Sequence, residues 1–92
     1  MELEWDAVKS AQNLQKHGIT FDDAGLVFLD AGRIESYDGR EAYGEERWAT
    51  IGLAYSSVLY VVYTIRQEDT IRLISARKAN AEERRKYREA NP

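Results

Sequence analysis

The repeat of apolar positions changes near residue 33, and the change separates a helical start from a strand-rich remainder. Asp6 is a good N-cap, Val8, Ala11 and Leu14 follow at three-residue spacing, and His17-Gly18 closes the run with a glycine suited to a left-handed stop. These signals predict a first helix. Thr20 caps a second, short helix in which Asp23 favours the positive end of the dipole and Ala24, Val27 and Phe28 form the apolar stripe. Asp30-Ala31-Gly32 stops it. The tight Gly18-Ile19 link predicts a corner between the helices, with Trp5 and Phe21 as its anchors.

Beyond Arg33 the period shortens toward two. Arg33 to Tyr37 reads as a weak edge strand, Asp38 to Glu45 as a mobile loop containing two glycines, and Arg47 to Leu53 as the next strand. Tyr55-Ser56-Ser57 reads as a turn. Val58 to Ile65 is apolar on both faces and rich in β-branched and aromatic residues, which suits a central strand. Gln67-Glu68-Asp69 closes a hairpin onto Thr70 to Ala76, and Asn80 with Glu83 three residues later opens a last helix. The predicted architecture is α+β in the order ααββββα: two N-terminal helices, a four-stranded antiparallel sheet and a C-terminal helix, one domain over residues 1–92.

Size and charge narrow this picture. A chain of 92 residues supports one modest core, burying about 60% of its unfolded surface, and its 43% hydrophobic content argues against disorder. There is no cysteine and a single histidine, so disulfide frameworks and thiolate or zinc chemistry drop out, and no cofactor is called for. The start, MELEWDAVKS, has neither the basic residues nor the apolar run of a signal peptide. Val58 to Tyr63, the longest apolar stretch, is far too short to span a bilayer, so the expected location is the cytoplasm, away from membranes. The charge is divided: residues 1–46 carry four Lys/Arg against eleven Asp/Glu, whereas residues 47–92 carry nine against five. With a net charge of -3 the chain has no general attraction for polyanions, so any nucleic-acid contact is local to the basic tail, residues 70–90.

Four pieces, EWD, NLQKHGITFDDA, GEERWATIG and IRLISARKANAEERRKY, stand in an order and spacing that resembles the BrnT family of bacterial type II toxins. The resemblance runs from about Glu4 to Tyr87, and four ordered motifs are far more specific than one short pattern. It implies a RelE-like fold and a ribonuclease activity that stalls growth. It also implies a BrnA-type antitoxin partner that binds both the toxin and operator DNA, so that DNA is met only through the antitoxin.

The residues themselves can be weighed for that chemistry. Cleavage of RNA by its own 2'-hydroxyl needs no metal; it needs a proton acceptor, a donor for the leaving oxygen, and cations for the charge gathering on the phosphate. Arg47, Arg66, Arg72, Arg77 and Arg84 are the candidate phosphate clamps, since a guanidinium matches phosphate oxygens in a fork. Of the cations, Arg47, Arg72 and Arg77 are assigned to the reaction centre and Arg66, Lys78, Arg84 and Arg88 to RNA contacts. For proton transfer the candidates are Glu46 if burial raises its pKa, His17, and Tyr87 if cationic neighbours lower its own.

Each candidate has a plainer structural reading. His17 suits a helix C-terminus, Glu45-Glu46-Arg47 can blunt a strand, and Arg72 and Arg77, five apart, face opposite sides of a regular strand unless its end near Ala76 lets both approach one phosphate. Arg84, Tyr87 and Arg88 share a helix face, where Tyr87 either stacks on a base or packs back onto the sheet. An acidic chain with these parts also fits a second function, a protein-binding module of the same fold without RNA cleavage. A regulator using only the basic tail is a third. An exposed edge strand and a small core leave room for an antitoxin segment or for self-association.

Overall fold

A computed structural model describes the backbone of residues 1–42 and 45–92 and the side chains outside residues 39–45. The chain runs β1 (Glu2–Glu4), α1 (Ala7–His17), α2 (Phe21–Ala24), a 3-10 turn (Gly25–Leu29), β2 (Ile34–Ala42), β3 (Glu45–Ala54), β4 (Ser57–Arg66), β5 (Thr70–Lys78) and α3 (Ala81–Ala90). The class is α+β, as expected. The sheet, however, has five strands in the order β1-β5-β4-β3-β2, and β1 runs parallel to β5, so it is mixed rather than four-stranded and antiparallel. Glu2-Leu3-Glu4 is too short for its alternation to register; its pairing with Thr70-Ile71-Arg72 makes it a strand. The expected loop at Asp38 to Glu45 is also corrected. β2 continues to Ala42 past a register shift between Tyr37 and Glu41, while residues 43–44 lie outside the described residues.

The helix ends are set by local chemistry. Asp6 accepts from the Val8 and Lys9 amides at 2.8 and 3.2 Å, and Gly18, at φ 74°, returns its N–H to the Leu14 carbonyl. Val8 and Leu14 stay exposed, and α1 buries Ser10 and Asn13 instead. The reason is hydrogen bonding. Ser10 Oγ accepts from the Phe21 amide, and the Asn13 amide group both donates to the Ala76 carbonyl at 2.9 Å and accepts from the Ala76 N–H at 3.1 Å, a side-chain imitation of a strand partner. Its Nδ2 also donates to the Ile19 carbonyl. At Ala76, beyond the reach of β1, α1 thereby satisfies the backbone of β5.

Beneath the N-terminal elements lies the core. Phe21, Ala24, Val27 and Phe28 meet Leu59, Val61 and Tyr63 of β4 and Leu73 and Ala76 of β5, and Trp5 meets Phe21 edge to face. Gly52 is where the 3-10 turn crosses β3: a Cβ there would stand 3.0 Å from Val27 Cβ and 3.3 Å from the Val27 carbonyl oxygen. The odd-numbered positions of β4 therefore define a helix face. The even positions, Tyr60, Val62 and Thr64, define an opposite face.

β5 is not a regular strand. Val62 pairs with Ser75 while Tyr63 pairs with Leu73, so Ile74 is an extra residue, a β-bulge. Arg77 pairs with Tyr60 and Arg72 with Thr64, both even positions of β4. The two arginines thus lie on one face, and the expectation of opposite faces is corrected by the bulge, which absorbs the odd interval between them.

Candidate functional site

The face opposite the core has a buried floor and a charged rim. Ala49, Ile51, Val62 and Thr64 are buried there without belonging to the main core cluster. Around them stand Arg47, Arg72 and Arg77 together with Tyr60, and β3 and β5 supply the three guanidinium groups from either side of β4. Arg72 Nη1 meets Glu4 Oε2 at 3.0 Å. Arg77 binds Glu83 through both guanidinium ends, at 2.8 and 2.9 Å, and its Cζ lies 4.2 Å from the centre of the Tyr60 ring. Arg47 differs. Its Nε is buried and, among the described residues, has no hydrogen-bond partner.

The electrostatics follow from these pairings. The hydrogen bonds with Glu83 raise the Arg77 pKa against the effect of burial, and the same bonds hold the Glu83 carboxyl below its ordinary range. Tyr60 is pushed up by burial and by the negative Asp38 and Glu83, with its hydroxyl 3.4 Å from Asp38 Oδ1; it stays a protonated donor at neutral pH.

The other sequence candidates fall elsewhere. Glu46 is exposed, and strand alternation sets it on the side of Trp48, opposite Arg47; only its carbonyl, which accepts from Thr64 Oγ1, touches the site's floor. Lys78 pairs with Leu59 and so belongs to the helix face, whereas Arg66 pairs with Thr70 at the hairpin end of the arginine face. His17 lines a groove between α1 and β5. Tyr87 packs back: its hydroxyl donates to Asp30 Oδ2 at 2.6 Å, and this bond with burial pushes its pKa up to about 12, the reverse of an activated tyrosine. Arg84 donates to the Ala79 carbonyl at 2.6 Å, Arg88 is exposed, and Glu82 is taken by Arg85 rather than Lys86.

α3 buries no residue and is tied by Arg77–Glu83, Tyr87–Asp30 and Asn91 Nδ2 donating to the Gly32 carbonyl at 2.8 Å. Sequence reading did not find Tyr60, Glu4 or Asp30. Tyr60 is one aromatic in an apolar strand, and Glu4 lies 68 positions from its arginine, so neither leaves a local signal.

This architecture defines a class: a small α+β domain whose sheet turns a core to its helices and a face rimmed by arginines away from them. A family model described as "Ribonuclease toxin, BrnT, of type II toxin-antitoxin system" matches residues 5–83, and the chain belongs to that family. Among solved structures it is similar to the Brucella abortus ribonuclease toxin, BrnT, with 26% identity, 87% of this chain and 97% of that chain covered, and a TM-score of 0.66. A search of curated proteins gave no significant match. Membership in a type II system implies a protein antitoxin as partner. Among the described residues no helix is long and apolar enough to cross a membrane.

Proposed function

We propose that the chain is a RelE-like endoribonuclease toxin of the cytoplasm, cutting RNA by metal-independent attack of the adjacent 2'-hydroxyl and held inactive by a BrnA-type antitoxin that carries the contact to operator DNA. The observation that carries this reading is the gathering of Arg47, Arg72 and Arg77 on one sheet face, with the Arg47 Nε buried and, among the described residues, unpaired. Charge builds on the phosphate as the 2'-oxygen attacks, and guanidinium groups in a partly dry site stabilise it without reorganising. The incoming phosphate exchanges with Glu83 and Glu4, the carboxylates that hold Arg77 and Arg72 in the free protein. As the 2'-oxygen bonds to phosphorus and the P–O5' bond breaks, Asp38 is the neighbouring carboxylate to take the 2'-hydroxyl proton, and Tyr60, protonated and stacked under Arg77, gives its proton to the leaving 5'-oxygen.

Purified protein incubated with RNA in a chelator should cleave it, and induced expression without the antitoxin should arrest growth. Alanine at Arg72 or Arg77 should abolish both effects while the protein stays folded. Unaltered cleavage by both variants would refute this site. The second reading, a non-catalytic protein-binding module, draws on the same salt bridges: both arginines already have carboxylate partners, in a chain with pI near 5.1. Full growth on expression without an antitoxin would favour it.

A further inference from the structure

We propose that the groove between α1 and β5 is a second RNA-contact surface, which grips the backbone of the strand flanking the scissile bond. This deepens the ribonuclease reading and rests on it. The groove has a volume of about 260 Å³ and presents Lys9, Gln12, Lys16 and His17 from α1 toward Ser75 of β5. α1 is unusual for its half of the chain. Residues 1–46 contain eleven acids, yet none falls within Ala7–His17.

Availability separates these cations from Arg72 and Arg77 of the arginine face. Arg72, Arg77 and Arg85 each hold a carboxylate, whereas Lys9, Lys16 and His17 make no ion pair among the described residues. A phosphate arriving here displaces water and counterions rather than a protein carboxylate. The negative end of the α1 dipole opposes it with about half a charge, against a full positive charge on each lysine. The lysines prevail. Seven residues apart on the helix, they are about 10 Å from one another along the axis, too far to share a single phosphate and well set for an extended strand.

Continuity joins the groove to the proposed reaction centre. Ser75 lines the groove and, through its pairing with Val62, belongs to the arginine face; the bulge residue Ile74 lines the groove beside it. Asn13 is committed to Ala76 and Ile19, so Gln12 and Ser75 remain as the neutral hydrogen-bonding groups. A strand leaving Arg72 and Arg77 thus crosses the β5 edge at Ser75 and continues along α1.

The test is a double variant, Lys9→Ala with Lys16→Ala, at exposed positions whose side chains hold nothing else in place. Cleavage of a long single-stranded RNA is compared with cleavage of a dinucleotide, and binding of an uncleavable 2'-deoxy strand is titrated across salt concentrations. The expected result is a KM for the long RNA raised roughly tenfold with kcat unchanged, an unaltered dinucleotide reaction, and a salt slope shallower by about 1.4 for two lost phosphate contacts. Unchanged KM and salt slope would overturn the groove. So would an equal fall in kcat on both substrates, which would make the lysines part of the reaction centre or of the fold. If the unmodified protein cuts neither RNA, the ribonuclease reading fails, and the salt slope alone then decides the groove.

Discussion

The two faces of the sheet share the same strands and are stabilised in opposite ways. On the helix face large side chains pack on one another: Phe21, Val27, Val61 and Leu73 are essentially inaccessible, and Phe28 contacts Tyr63 edge to face at 5.2 Å. On the other face the floor is small and the rim is charged. Close packing adds stability in proportion to the area removed from water, whereas an orphaned guanidinium nitrogen subtracts from it. The difference teaches that one face holds the molecule together while the other keeps an arginine, Arg47, that the fold would do better without.

Substitutions on the two faces should therefore part company. Phe21→Ala should cost about 4 kcal/mol in denaturant unfolding, through lost burial and the cavity left behind. Arg47→Met should be neutral or mildly stabilising in the same titration and yet lower RNA cleavage 100-fold or more, about 3 kcal/mol of transition-state stabilisation. A variant that lost stability and activity together would remove the distinction. Asn13→Ala, at the boundary of the faces, should cost about 2 kcal/mol, because it leaves the Ala76 N–H and two carbonyls without their partner.

Tyr87→Phe should weaken only the docking of α3, by roughly 1.5 kcal/mol, seen as faster hydrogen exchange in α3 with little change in the core.

The smallest expected effect is on pH dependence. Burial opposes ionisation of Asp30, but hydrogen bonds from Tyr87, Leu53 and Gly32 and the Arg33 charge outweigh it, so its pKa falls below 3.8; that of Glu83 falls below 4.5. Both carboxylates bind protons more weakly in the folded state, so their contribution is complete above those values and disappears as the pH drops through the lowered ones. Tyr87, shifted upward from 10.0 to about 12, gives the opposite limb: its contribution is complete below 10 and is lost as the pH rises toward 12. Exchange protection of α3 should fall at both extremes before the core unfolds.

Much of this was legible from local signals. Asp6, Thr20 and Asn80 cap the helices they were expected to cap, and Val58 to Ile65 is the middle strand, because caps and apolar runs act over a few residues. What escaped depended on distant partners. β1 exists through Thr70 to Arg72, the buried side of α1 is chosen by the backbone of Ala76, and the shared face of Arg72 and Arg77 requires a bulge that only the β4 register shows. Adjacency misled as well: Glu46 and Arg47 look like a pair in sequence, yet strand alternation sends them to opposite sides.

The extra residue at Ile74 also works as a gauge. Five residue steps of β5, Arg72 to Arg77, are drawn into four pairing steps of β4, Tyr60 to Thr64, so the two arginine attachments stand about 13 Å apart along the sheet rather than ~17 Å. Deleting Ile74 would keep both arginines on their face, since four steps preserve the alternation, but would straighten the strand that carries them. Orientation and spacing are thus separately adjustable in this site, and the length of one strand can tune the grip on an anion without changing a single group that touches it.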